Sequence, residues 1–154
     1  MIVVIGYGNT LRQDDGVGVA LVHRVSDGWP DAGVRFLTAH QLVPELAQEL
    51  AELAPTAVIF VDAQVSNDRD TERVRVQKIE YTENSPGLGH HLTPQVVVAY
   101  ARVLFSVDFE GWLLSLPAVN FDHGDGFSDR AEAWLAQGET CLRTLLKDLQ
   151  TDAA

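Results

Sequence analysis

The 154-residue chain has one cysteine, Cys141, and two lysines, Lys78 and Lys147. A single thiol forms no internal disulfide, so nothing in the composition points to an oxidising compartment. With 11 basic side chains against 22 acidic ones and a formal net charge of −11, the protein repels a phosphate backbone, and no cluster of Lys or Arg offsets this locally. Nucleic acid is not an expected partner. Long apolar runs are also missing: Arg12, Asp14 and Asp15 interrupt the apolar N-terminus short of the roughly 18 to 20 residues that a bilayer span needs, so no membrane contact is expected. The same stretch shows neither the basic segment nor the cleavage site of a signal peptide, and the cytoplasm is the expected address. No Gly-Lys-Ser/Thr, Gly-x-Ser-x-Gly or His-Glu-x-x-His occurs, which removes the P-loop, the serine hydrolases and the helical zinc proteases. Gly6 and Gly8 begin like a dinucleotide fingerprint, but Leu11 stands where its third glycine belongs, and Asp14 and Asp15 would repel a pyrophosphate. No organic cofactor is expected.

What is present has the balance of a globular protein, with 46% hydrophobic and 21% charged residues in a length that suits one domain, expected to be a monomer. Short apolar runs alternate with amphipathic stretches, as strands and helices do around a parallel sheet. Strands are expected over 2–6, 34–38, 57–61, 73–79 and 111–116. Helices are expected over 16–24, over 43–53 ahead of Pro55, from Thr93 with Pro94 in its first turn, and from a Ser128 cap to about Leu149. Loops fill 8–15, 66–71 and 82–91, the last carrying Pro86, Gly87 and Gly89. The expected architecture is α/β: a single-domain three-layer αβα sandwich around a mostly parallel, about five-stranded sheet. It spans residues 1–150, with a short tail at 151–154.

Function in such sheets collects beyond the carboxyl ends of the strands. Asp14 and Asp15 follow the first strand, His40 follows the second, Asp62 stands at the tip of the third, and His90 and His91 precede a helix. Either Asp14 or Asp15 could simply cap the first helix, but not both. Asp62 follows the apolar run 58–61, and a carboxylate at a buried strand end needs a partner or a task. His23 reads as a surface helix residue and Cys141 as core, whereas His123 has no reading. Asp15, Asp62 and His91 together make a set of two oxygens and one nitrogen that suits zinc, nickel or manganese. The same carboxylates could instead activate water as a general base, and spacing does not choose between these.

The run Gly6-Tyr7-Gly8-Asn9-Thr10-Leu11-Arg12-Gln13-Asp14-Asp15-Gly16-Val17-Gly18 resembles the opening motif of the hydrogenase maturation endopeptidases, which trim the large subunit of [NiFe] hydrogenases. The similarity continues through Phe60-Val61-Asp62-Ala63 and His91-Leu92-Thr93-Pro94, and more loosely from Pro117 to Ser128. It implies an aspartic-type endopeptidase that removes a C-terminal extension from the large-subunit precursor after nickel insertion. By the same resemblance Asp15, Asp62 and His91 bind or recognise nickel, presented by the substrate, and act at the catalytic centre. His91 rather than His90 matches the family's His-x-x-Pro pattern, some members carry Glu where Asp15 stands, and His40 looks like a subgroup feature. Two other classes compete: a maturation chaperone without peptidase activity, which only an assay separates, and a receiver-type phosphoacceptor module. The latter needs a lysine at the end of the last strand, where neither Lys78 nor Lys147 lies.

Overall fold

The computed structural model describes residues 1–66, 73–80, 92–124 and 126–153. The chain runs β1 (Ile2–Tyr7), a 3-10 turn (Gln13–Gly16), α1 (Val17–Ser26), β2 (Val34–Ala39), α2 (Glu45–Leu53), β3 (Ala57–Val65), β4 (Arg75–Ile79), α3 (Pro94–Phe105), β5 (Glu110–Ala118) and α4 (Asp129–Ala153). The strand order is β2-β1-β3-β5-β4. β1, β2, β3 and β5 are mutually parallel, and β4 closes one edge antiparallel to β5.

Alternation along the central strands explains the three layers. Val4, Ile59, Val61 and Leu114 face α1 and α4, whose Leu21, Val22, Leu142 and Leu146 complete one core. Val3, Ile5, Val58, Phe60 and Leu113 face α2 and α3, where Leu46, Leu50, Val97 and Ala101 complete the other. Each central strand is apolar on both sides because both sides are covered. The expected αβα sandwich is the observed one. Among the described residues no helix is long and apolar enough to cross a membrane.

Local chemistry sets several boundaries as expected. The Thr93 hydroxyl accepts from the Val96 amide at 3.3 Å with Pro94 opening α3, and the Ser128 hydroxyl accepts from the Ala131 amide at 3.2 Å to start α4. Other boundaries move. β3 runs on to Val65, so Asp62 lies inside the strand rather than at its tip, because β5 continues beside it and pairs Asp62 with Ser115 and Val65 with Ala118. Pro117 does not end β5: β4 stops opposite Ser115, leaving Pro117 bordered by a strand on one side only. α4 continues to Ala153, so 151–153 of the expected tail form its last turn, with no glycine or proline there to stop it. α2 starts at Glu45, not at 43, and β4 at Arg75, not at 73.

Candidate functional site

β1 leads through α1 to β2 on one side and the chain returns through α2 to β3 on the other, so the strand order reverses between β1 and β3. Outside the carboxyl ends of the strands at such a reversal lies the crevice where α/β sheets bind ligands. β1 ends at Tyr7, one residue beyond the Gly6–Val61 pair, while β3 continues through Asp62. By alternation Tyr7 and Asp62 both emerge on the α2–α3 side, and Tyr7 packs against that core together with Leu92.

Three glycines of the opening motif bring the backbone this close. A Cβ on Gly6 would stand 2.5 Å from the Gly18 carbonyl oxygen, and one on Gly18 would stand 2.6 Å from that of Val61. These positions let the start of α1 lie directly on β1 and β3. Gly8 has φ +147°, and a Cβ there would meet the Asp15 carbonyl oxygen at 2.0 Å. Gly18→Ala is therefore expected to destabilise by about 2 kcal/mol through overpacking, read as a lower melting temperature with retained cooperativity. An unchanged melt would show that α1 is free to retreat.

The adjacent acids have separate fates, and neither caps α1, whose N-cap is Gly16 without a side-chain bond. Asp14 is fully buried. Its Oδ2 accepts from the amides of Val119 at 2.9 Å and Asn120 at 3.0 Å and from the Ser128 hydroxyl at 2.8 Å, while Oδ1 accepts from the Ser128 amide at 2.9 Å. Burial acts to raise its pKa, but the donors from Ser128, Val119 and Asn120 outweigh it and leave the carboxyl below its usual value. Asp14 thus ties the β1–α1 connection to the β5–α4 loop. Backbone bonds support the tie: Asp14 N donates to Asn120 O at 2.8 Å, and Gly124 N donates to Leu11 O at 2.9 Å.

Asp15 is half-buried and turned toward the crevice, where its Oδ2 accepts from the Asn9 amide at 3.0 Å. Its charge acts on Asp62. The Asp62 carboxyl is pushed up to about 6, first by burial and further by Asp15, against the opposing effects of hydrogen bonds from the Tyr7 hydroxyl and the Ala63 amide. Tyr7 is in turn driven far above the ordinary tyrosine range by burial and by the negative charge and hydrogen bonding of Asp62. The pair therefore joins a tyrosine that stays protonated to a carboxyl that changes charge near neutrality. Such a carboxyl gives or takes a proton, and when ionised it can hold a cation.

The other candidates divide. His40 directly follows β2 at the same sheet edge and is exposed, next to Ala39, whose carbonyl accepts from the Gly8 amide at 3.1 Å. His23 and His123 are exposed, and Cys141 is half-buried against the α1–α4 core. His90 and His91 lie outside the described residues. Among the described residues no three His, Cys, Asp or Glu side chains gather as a metal site. Tyr7 is the residue that sequence reading missed. Its signal was its odd number one residue past the expected 2–6 strand, which aligns it with Val3 and Ile5 and hence with the face of Asp62.

No protein-family model and no curated protein matches the chain. Solved structures do match, over nearly the whole length. The hydrogenase maturating endopeptidase HybD from Escherichia coli is 20% identical with a TM-score of 0.75, covering 96% of this chain and 92% of its own. The [NiFe] hydrogenase maturation protease HycI from Thermococcus kodakarensis is 20% identical with a TM-score of 0.70, covering 97% of this chain and 92% of its own. A hydrogenase 2 maturation peptidase from a Thaumarchaeota archaeon is 18% identical with a TM-score of 0.68, covering 94% of this chain and 97% of its own. The fold is the one these maturation proteases have.

Proposed function

We propose that the chain is an endopeptidase of hydrogenase maturation, acting in the cytoplasm on a [NiFe] hydrogenase large-subunit precursor and removing its C-terminal extension after nickel insertion. The observation that carries the reading is the interacting carboxyl pair, Asp15 and Asp62, at the switch point of a fold that solved hydrogenase maturation proteases share along almost their full length. In this reading the nickel belongs to the substrate. Asp15 meets it from the 3-10 turn after β1 and Asp62 from β3, and His91, which the opening resemblance assigns and which precedes α3 in the sequence, supplies the nitrogen donor. Asp62, poised near pH 6, exchanges the proton as water adds to the scissile carbonyl, and Tyr7 holds the carboxylate in place. Aspartic-type chemistry is thus assigned to Asp62 with Asp15 beside it.

The test is gel mobility of precursor, with and without inserted nickel, incubated with this protein under chelation of free metal. Nickel-loaded precursor is expected to be shortened and nickel-free precursor to stay intact, with Asp15→Asn slowing the first reaction by about tenfold or more as one anionic ligand is lost. Efficient cutting of nickel-free precursor would return the three residues to an ordinary catalytic role. No cutting of either form would favour a maturation chaperone.

A further inference from the structure

On the same sheet face as Asp62, further from the switch point, lies a pocket of about 250 Å³ whose walls include Gln64, Arg73, Arg75, Gln77 and Ser115. Strand pairing explains why it forms. Asp62 pairs with Ser115 across β3 and β5, and Ser115 pairs with Arg75 across β5 and β4, so the three side chains form one row over three neighbouring strands. Leu113 and Pro117, two residues to either side of Ser115 on β5, give the pocket an apolar floor. On this face β4 presents Arg75 and Gln77 to the pocket and Ile79 to the core, while Val74, which precedes the strand, joins the opposite core. Arg73 and Arg75 are exposed, and among the described residues neither has an ion-pair partner. In a chain of net charge −11, these two exposed guanidiniums bring positive charge to the sheet face that carries Asp62.

From this geometry we infer that the Arg73–Arg75 pocket is a substrate subsite that takes a carboxylate of the peptide being processed. The inference rests on the endopeptidase reading and names part of its specificity. Two strand spacings separate the Asp62 and Arg75 backbones, about 10 Å, which an extended peptide crosses in about three residues. A bond cut at Asp62 thus places a carboxylate some three residues away against the guanidiniums. Arginine presents a planar fork that matches a carboxylate's two oxygens, and the Ser115 hydroxyl and the Gln64 and Gln77 amides supply neutral polar groups beside it. The carboxylate comes either from an acidic side chain or from the free end of the peptide. The two share one chemistry, and the experiment tells them apart.

The probes are three alanine pentapeptides: one with a free C-terminus, its C-terminal amide, and an amide with glutamate at the centre. Each is titrated into the ¹⁵N-labelled full chain, following the backbone amides of β4 and β5 and the arginine side-chain N–H signals. At least one carboxylate-bearing peptide is expected to shift these signals at lower concentration than the neutral amide, and which one does so identifies the source. In the double variant Arg73→Gln/Arg75→Gln that preference falls by about fivefold, as expected for exposed charge pairs. The double Lys variant keeps part of it. Both sites are exposed, so melting temperatures should match the parent, and matching melts exclude misfolding as the cause. Equal binding of all three peptides, or a preference that survives in the Gln variant, overturns the subsite. Binding is read without cleavage, so a parent that cuts no precursor yet keeps the Arg-dependent preference would defeat the endopeptidase reading and leave the anion site standing. Precursor cut by the Gln variant with an unchanged KM would defeat the assignment to substrate.

Discussion

Asp14→Ala is expected to lower the melting temperature by about 10 °C, the largest stability effect of any single substitution proposed for this chain. The substitution removes a buried acceptor from two loop amides and from both the amide and the hydroxyl of Ser128. It strands those donors where water does not replace the lost acceptor, at a cost of about 3 to 5 kcal/mol. It also frees the Ser128 end of α4 and the turn that carries Asp15, so the crevice loosens along with the fold. The pH dependence has a definite sign. The folded pKa of Asp14 lies below its usual value, so its contribution is present at neutral pH and lost only as acid protonates the folded form. Calorimetry should therefore show a parent–variant gap that is constant from pH 5 to 8 and narrows in stronger acid. A variant melting within about 2 °C of the parent at pH 7 would refute the tie between the two loops.

Asp14 also marks where sequence reading stops. Thr93, Pro94 and Ser128 were legible because a cap is decided by residues within one turn of it. The two-sided apolar strands were legible because alternation is local as well. Asp14 and Asp15 are neighbours of identical chemistry, and what separates them is the loop at 119–128, more than 100 residues along the chain. Nothing local announces that loop. The position of Asp62 relative to the end of β3 failed for the same reason: the apolar run stops at Val61, but the strand is prolonged by β5, its partner. The topological rule places Asp15 and Asp62 near the carboxyl ends of β1 and β3, and the charge of Asp15 acts on Asp62. Tyr7 was legible by alternation, since it keeps the period of Val3 and Ile5, but its partner Asp62 lies 55 residues along the chain and no local pattern joins the two.

Asp62→Asn is expected to abolish precursor processing and, at pH 7.5, to raise the melting temperature by about 3 to 6 °C. The gain follows from the direction of the Asp62 shift. Its folded pKa, about 6, lies above the ordinary 3.8, so the protonated form is the one the fold favours. That stability is fully present below the ordinary value and lost as pH rises through the folded one, amounting to at most about 3 kcal/mol by pH 7.5. Asparagine keeps the shape of the neutral carboxyl without ever charging beside Asp15, so it recovers a part of this, about 1 to 2 kcal/mol, at neutral pH. At pH 5, where the parent carboxyl is mostly protonated, the two proteins should melt together. Melting at both pH values beside the gel assay provides the check. Tyr7→Phe supplies an internal control: it removes a hydrogen bond that favours the charged form, so Asp62 should titrate higher and any rise of activity that follows its ionisation near pH 6 should move up in pH. An Asp62→Asn protein that is less stable at pH 7.5 yet still cuts precursor would make Asp62 a structural residue. A protein that is more stable and inactive would mean that the fold keeps an unfavourable charge at the switch point for the sake of the reaction.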